Sequence, residues 1–329
     1  MMYSFATEHM RTKPKKILVI GDMILDVYHT GTYIGQSLSD TETPVGKATS
    51  TTHTWGGAGF LVRNILALGG AVTFVSYVGT DDFAKKVNLF KHAHLTKAFS
   101  QTSKKSTTVK ERFWLGDKKH LGWHRTDDSP LPSIQAKQVL GRIRTEIPTV
   151  EKVIVADYRH GLLSASMARQ IVKMCAAAHK PIYIDSQVSY GDSNHHWYEG
   201  ATLFCLNQKE ASRVSPLFDP NHLRASMERL QQSLRTPNVV IKLGERGCAA
   251  LFDSAYFETR AHTVVPVDTT GAGDAFLASL AIGGTPLGDH DLEHANIWAG
   301  LSTTVLGTEV PPIATYNKLV AKIAHKTNR

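Results

Sequence analysis

Short apolar runs closed by small or acidic residues, and separated along most of the chain by segments of helical spacing, limit what this sequence can fold into. The runs are Ile17–Ile20, Ala71–Val78, Val150–Ala156, Pro181–Asp185, Ala201–Leu206 and Val239–Leu243. A stretch that is apolar at consecutive positions, rather than at every second one, reads as a strand covered on both faces. Helices are expected near 58–68, from Asp82 as N-cap, and near 133–147, 164–179, 219–235, 272–283 and 289–306. A hairpin is expected over 248–260. The alternation runs from residue 16 to 306 without a repeat, a low-complexity tract or a Pro-rich linker. It predicts an α/β fold, a three-layer αβα sandwich around a mostly parallel sheet. A loose tail is expected over 1–15 and one domain over 16–329. Such sheets bind ligands beyond the carboxyl ends of their strands, so residues that close the runs are the first candidates for function.

The densest candidate is Val267-Asp-Thr-Thr-Gly-Ala-Gly-Asp-Ala-Phe276. It reads as a strand end, a small-residue turn and a helix start. Gly271 and Gly273 permit close backbone approach, and the helix beginning near Ala272 turns free N–H groups and its positive end toward the turn. Together these make an anion pocket suited to phosphate. Asp274 then sets a carboxylate beside a bound anion. That placement is costly unless the carboxylate takes a proton from an attacking hydroxyl. The plain alternative is a Gly-rich turn with Asp274 as an ordinary N-terminal helix charge.

Other strand ends carry polar groups. Asp22 closes the first run with Asp26 four residues on, and Asp22 is placed to accept hydrogen bonds from ligand hydroxyls or to serve as a turn Asp. Asp157 closes a later run. Asn207 and Glu210, three apart, face one side of a first helical turn, and they also read as an N-cap with its capping-box partner. Residues 28–55 are rich in Thr, Ser and Gly. With 105–126 they are expected to form short strands outside the main sheet.

The net charge of +8 suits anionic ligands. No Lys/Arg block or nucleic-acid module is present, so phosphorylated small molecules are the expected partners and nucleic acid is not. No apolar run is long enough to cross a bilayer, and the first residues lack a secretory core, so a cytoplasmic protein is expected, without a membrane partner. Three well-separated cysteines, Cys175, Cys205 and Cys248, read as buried thiols in a reducing compartment. His195-His196 is adjacent rather than at metal-ligand spacing.

DTTGAGDAF resembles the second signature of the PfkB/ribokinase family of sugar kinases. The resemblance covers nearly all of the alternating region. It implies a ribokinase-like fold, a small β lid, and ATP-dependent phosphorylation of a sugar hydroxyl. Gly271, Ala272 and Gly273 would form the anion hole and Asp274 would be the base. Gly56-Gly57 resembles the first signature, where an Asn usually follows to bind the sugar. Here Phe60 and Leu61 stand at those positions, and Asn64 lies one turn further on. Asn207 and Glu210 resemble an NxxE motif that organises Mg²⁺ through water. Lys242-Leu-Gly244-Glu-Arg-Gly247 resembles the nucleotide segment, with Lys242 in place of a customary Thr and in reach of an ATP phosphate. Asn296 would line the adenine site. Asp268 and Thr270 match positions where some members bind a monovalent cation.

GDMILDVYHTG and DYRHG are similar to stretches of the heptose 7-phosphate kinases of this family. That likeness implies that Asp22, Asp26, Gly56, Gly57, Asn64 and Asp157 surround the sugar, and that Lys110 faces its phosphate. Arg112 and Arg125 add positive charge to the lid. Where near relatives continue Asp-Pro-Lys, this chain has Asp185-Ser-Gln187, so a phosphate-contacting Lys is missing. The expected activity is that of a heptose 7-phosphate kinase acting as a homodimer through the lid. The alternatives are a kinase for another sugar or a nucleoside, or a catalytically silent relative that binds a sugar phosphate or nucleotide.

Overall fold

Consecutive apolar residues in the central strands serve two different cores. Ile17 and Val19 face one layer, and Leu18 and Ile20 the other; Ile154 and Ala156 alternate with Val153 and Val155 in the same way. These eight side chains are all at most 1% exposed. This two-sided burial is what the unbroken runs demand. In the computed structural model, which describes residues 13–40, 42–188 and 193–327, the first residues of the expected tail therefore lie outside the described part.

Thirteen strands form two sheets among the described residues. The strands are β1 (Lys16–Gly21), β2 (Met23–Gln36), β3 (Pro44–Gly57), β4 (Ala71–Val78), β5 (Leu95–Gln101), β6 (Thr108–Leu115), β7 (Lys118–Arg125), β8 (Lys152–Asp157), β9 (Ile182–Ser186), β10 (Leu203–Asn207), β11 (Asn238–Lys242), β12 (Cys248–Phe252) and β13 (Ala255–Thr259). The large sheet runs β13-β12-β11-β10-β9-β8-β1-β4-β5, and the small one β3-β2-β6-β7. From β11 to β5 every neighbouring pair is parallel, and the β12–β13 hairpin closes the edge antiparallel.

Helices α1 (Ala58–Ala67), α2 (Asp82–Leu89), α3 (Ser133–Glu146), α4 (Ala165–Ala177), α5 (Gln208–Val214), α6 (Leu223–Leu234), α7 (Ala272–Ile282), α8 (Asp289–Ser302) and α9 (Ile313–Thr327) cover the sheet. Buried residues of α1, α7 and α8 build one core, and those of α3, α4 and α6 the other. The α/β sandwich with a small β lid is thus the observed fold.

Three expectations need correction. The cap of α2 is Asp81, not Asp82, because the Asp81 carboxylate accepts from Ala84 N at 2.9 Å. The short strands expected over 28–55 are two 14-residue arms, β2 and β3, that leave the core as one long ribbon. Strand β5 and helix α9 were not foreseen. Cys175, Cys205 and Cys248 are buried and free.

Asn64 also takes a different place. It is fully buried on α1, where its Nδ2 donates to Phe60 O at 2.8 Å and its Oδ1 accepts from Trp298 Nε1 at 2.8 Å. It ties α1 to α8 and is satisfied within the core, so no group remains for a sugar. Asn64→Leu should leave the Trp298 N–H unpaired at a cost of about 1–3 kcal/mol. Thermal melts should fall by several degrees while KM for the sugar stays put. A raised sugar KM in a variant of native stability would return Asn64 to the binding site.

Candidate active site

Five adjacent strands bring their carboxyl ends to one edge of the sheet. In sheet order that edge carries Lys242 on β11, Asn207 on β10, Asp185 on β9, Asp157 on β8, and Asp22 just past β1. The N-terminus of α7, with Gly271 to Asp274, faces the same edge, and β6 of the lid brings Lys110 and Arg112 over it. Residues more than 200 positions apart in sequence meet because parallel strands all end on one side.

The turn before α7 is built around Gly271. Its φ is +79°, and a Cβ there would lie 2.5 Å from two ring carbons of Phe60. Phe60 is 0% exposed, so the unexpected aromatic is the floor of the turn and does not project into the sugar site. Ala272 N leans on Thr269 O at 3.3 Å, whereas no backbone carbonyl among the described residues takes the amides of Gly273 and Asp274. These free donors, at the positive end of an 11-residue helix, suit a developing oxyanion.

Asp274 is pushed up to about 7. Burial is the main cause, Asp185 and Asp26 add to it, and the Tyr158 hydroxyl and Lys242 oppose it. Tyr158 OH donates to Asp274 Oδ1. A carboxyl poised near neutrality beside amide donors can accept a proton from an alcohol.

The nucleotide side centres on Lys242. Its Nζ is 2.6 Å from Asp185 Oδ2, and a Cβ on Gly273 would lie 3.1 Å from that same Nζ. The ammonium therefore sits directly under the amide turn. Burial lowers its proton affinity, but the nearby Asp185 and Glu210 outweigh that and hold it charged. Asn207 and Glu210 form a reciprocal capping box, with Asn207 N to Glu210 Oε2 at 2.7 Å and Glu210 N to Asn207 Oδ1 at 2.9 Å. Glu210 is pushed up to about 7, first by burial and then by Asp185, with Lys242 pulling it down.

The capping reading is thus realised, and it fixes both side chains at the sheet edge. Their donors are oxygens only, and no group of three or more His, Cys, Asp or Glu that could hold a metal ion occurs among the described residues. An ion such as Mg²⁺, which keeps several waters, fits these residues through its water shell.

Beyond Lys242, Gly244 and Gly247 turn the chain past a cavity of about 180 Å³, lined by Leu243, Arg246, Cys248, Thr259 and Arg260 among others. Asn296 Nδ2 braces its wall, donating to Thr259 O at 3.2 Å and to Cys248 Sγ at 3.4 Å. The apolar Leu223 and Leu243 and the guanidinium groups of Arg246 and Arg260 together suit a nucleotide base and its phosphates.

On the acceptor side, Asp22 is 1% exposed. Its Oδ2 accepts from Tyr158 N at 2.8 Å and His160 N at 3.4 Å, while Oδ1 has no partner. It is pushed up to about 7 by burial first and by Asp157 second. An orphaned buried acceptor at a strand end is what a sugar hydroxyl would satisfy.

Asp26 is instead engaged. Arg112 Nη1 donates to its Oδ1 at 2.6 Å and Thr308 Oγ1 to its Oδ2 at 3.0 Å. Gly56 lets that carboxylate press against the backbone, since a Cβ there would lie 2.0 Å from Asp26 Oδ2. Gly57 starts α1 behind Asp22, whose carbonyl accepts from Ala58 N at 3.2 Å.

Asp157 does not present its carboxylate for direct sugar contact. Its Oδ1 accepts from Arg159 N at 2.9 Å, and its Oδ2 from Asn194 Nδ2 and Tyr198 OH, both at 2.7 Å. It anchors the loop whose amides hold Asp22.

The Lys110 ammonium has no hydrogen bond or ion pair among the described residues; its Nζ lies 5.7 Å from the Tyr158 ring centroid. Burial pulls its ammonium below the usual lysine range, while Asp26, Asp22 and Asp274 pull it back. Asp268 closes the turn before α7, with its Oδ1 accepting from Thr270 N and Oγ1 and its Oδ2 from Gly307 N. Three contributors were not foreseen: Tyr158, Asp185 as the partner of Lys242, and Phe60 as a floor. Tyr158 sits inside the DYRHG stretch, so a signal was present.

The pfkB family carbohydrate kinase profile matches residues 14–295. The bifunctional protein HldE of Campylobacter curvus (strain 525.92) is 29% identical over 303 residues, covering 91% of this chain and 62% of that protein. HldE of Caulobacter sp. (strain K31) is 30% identical over 305 residues, covering 89% and 60%. The chain therefore spans about three-fifths of the length of these curated relatives.

Among solved structures, phosphofructokinase-2 from Escherichia coli in complex with substrates and products superimposes with a TM-score of 0.77 at 16% identity, over 94% of this chain and 99% of that one. Arabidopsis thaliana ribokinase complexed with ribose and ATP gives 0.69 at 18% identity, over 93% and 99%. At such identities the likeness speaks for a shared ribokinase-like fold.

Proposed function

We propose, from the premise that the chain belongs to the pfkB family of carbohydrate kinases and is an ATP-dependent carbohydrate kinase, that its acceptor is a sugar phosphate, with heptose 7-phosphate the best candidate. The observation that carries this reading is Lys110. Its ammonium is half-buried, faces the cleft, and lacks a partner among the described residues, whereas the neighbouring Arg112 is already paired with Asp26. Drawing a cation out of water without a hydrogen-bonded counter-charge is costly. A phosphate on the acceptor would supply that counter-charge beside Asp22 and Asp274. The likeness to HldE over the matched part points the same way.

In this reading Asp22 Oδ1 accepts a sugar hydroxyl and orients the ring. Asp274 takes the proton of the hydroxyl that attacks. The amides of the Gly271–Gly273 turn hold the charge that develops on the transferred group, with Lys242 beneath them. Mg²⁺, held through water by Asn207 and Glu210, would neutralise triphosphate charge when bound. Asn296, Gly244 and Gly247 shape the base cavity. A monovalent cation beside Asp268 and Thr270 belongs to the same proposal; the E. coli phosphofructokinase-2 has also been solved in complex with potassium. A homodimer contact through the lid belongs to the same proposal, supported by Tyr33, Ile34, Leu121 and Trp123 on its strands, which are 48–63% exposed. No described helix is long and apolar enough to cross a membrane; a cytoplasmic location remains part of the proposal.

The test is ADP release with ATP against a panel of sugars, nucleosides and sugar phosphates. Heptose 7-phosphate should give the highest kcat/KM, and Lys110→Met should raise its KM at least tenfold while sparing unphosphorylated sugars. A better turnover of an unphosphorylated sugar or nucleoside would favour the reading that the Gln187 departure keeps open. Nucleotide binding without ADP release on any acceptor would favour a silent relative.

A further inference from the structure

Resting on the reading of Asp274 as the proton-accepting carboxylate, we infer that Tyr158 is a positioning residue that decides which oxygen of Asp274 meets the acceptor. Tyr158 directly follows β8. Its hydroxyl donates to Asp274 Oδ1, its main-chain N–H donates to Asp22 Oδ2 at 2.8 Å, and the Lys110 ammonium lies 5.7 Å from its ring centroid. One residue thus touches the base, the hydroxyl acceptor and the lid cation. The other oxygen, Asp274 Oδ2, lies 3.5 Å from where a Cβ on Gly271 would stand, so it faces the amide turn.

A carboxylate turns readily about its last torsion, which is broad and nearly two-fold. The tyrosine removes that freedom by keeping Oδ1 on the protein side and leaving Oδ2 to the cleft. Tyr158 is itself fixed: the next amide, Arg159 N, donates to Asp157, and Asp157 is held by Asn194 and Tyr198. This gives the buried Asp157 a purpose within the site.

No bond to Tyr158 forms or breaks during the reaction. The proton of the sugar hydroxyl passes to Asp274 Oδ2 as the new oxygen–phosphorus bond forms and the bond from that phosphorus to the departing ADP oxygen breaks, and Tyr158 keeps its own proton. Burial, together with Asp274, Asp185 and Asp26, pushes the phenol well above its ordinary range, so it stays a donor. Asp274 is faced by Tyr158 from the loop after β8, Asp185 from β9, Lys242 from β11, Asp26 from β2 and Lys110 from β6. Among these, Tyr158 makes the hydrogen bond, and its loss should weaken the carboxylate form most directly.

The test needs no knowledge of the acceptor. In protein labelled with ¹³C-aspartate, the Asp274 carboxyl signal is assigned by its disappearance in Asp274→Asn and titrated without ligand. Tyr158→Phe should move its midpoint up by about one unit. Site-specific 3-fluorotyrosine at 158, a stronger donor of nearly the same shape, should move it down. With heptose 7-phosphate and ATP, Tyr158→Phe should lower kcat about tenfold, shift the acid limb in step with the titration, and leave both KM values within about twofold.

An unmoved midpoint in both Tyr158 proteins would overturn the inference. If Tyr158→Phe fails to fold by circular dichroism, the fluorotyrosine protein decides alone, and no downward shift there overturns it. Failure of the underlying reading looks different: Asp274→Asn would then keep its turnover whatever Tyr158 does.

Discussion

Asp274→Asn is expected to fold, to bind ATP as the parent does, and to lose turnover by about 10²- to 10⁴-fold, the usual span for removing a general base. The variant keeps the shape of the side chain and its hydrogen bond to Tyr158, so the loss isolates proton acceptance. The parent's pH profile should carry the same signature. Burial, reinforced by Asp185 and Asp26, holds Asp274 near 7, so kcat should fall as pH drops through about 7 and the carboxylate takes up its proton.

Stability should move the other way. The unfolded chain releases this proton near 3.8 and the folded chain near 7. Between those values the folded state binds more protons, so stability from this group declines as pH rises across the window. Above it the buried charge is a standing cost, which Asn removes. Asp274→Asn should therefore melt a few degrees higher than the parent at pH 8, and the gap should close toward pH 4. Asp22 and Glu210, also held near 7, add slope in the same window but are common to both proteins. Near-parental turnover would remove Asp274 from the chemistry. A variant less stable than the parent at pH 8 would show that the carboxylate is not buried at a cost.

What the sequence disclosed follows from which signals are local. The strand ends were legible because a continuous apolar run and its closing Asp or Asn are neighbours in the chain, and the parallel sheet then collects them without further information. The partnership of Lys242 with Asp185 was not legible. The two are 57 positions apart, and β10 lies between their strands, so only the sheet order brings them together. Asn64 was misplaced although its signal was local. It stands four residues after Phe60 and three after Leu61, on the helical stripe that faces the core, and that spacing outweighs its polarity once Trp298 offers a partner. Strand β5 escaped notice because Leu-Thr-Lys-Ala-Phe-Ser-Gln is a half-buried edge with few apolar residues. In α9, Leu319 and Val320 pack on the core, and that apolar pair stands in the sequence beyond the last expected helix. Phe60 shows a subtler limit: as a departure from a motif it suggested a changed sugar pocket, whereas it lies beneath Gly271.

That contact makes Gly271→Ala the more drastic substitution at the turn. Two costs compete. A non-glycine residue at φ +79° and ψ 4° pays about 1–2 kcal/mol for the left-handed backbone. The steric cost is larger, because the new methyl carbon would stand 2.5 Å from two Phe60 ring carbons, where ordinary contact begins near 3.4 Å. Phe60 is 0% exposed and sits in close-packed surroundings, so it cannot swing aside. The turn must move instead, and its amides move with it. Loss of an aligned oxyanion donor costs about 10²- to 10³-fold in kcat, and that loss is expected for Gly271→Ala, with little change in KM for the sugar. Pairing it with Phe60→Ala separates the two costs. If the clash dominates, the double variant should recover at least tenfold of the kcat lost, despite the cavity left by the ring. If the left-handed backbone dominates, the second substitution should recover nothing, and Phe60 would then be only a neighbour of the turn and not its support.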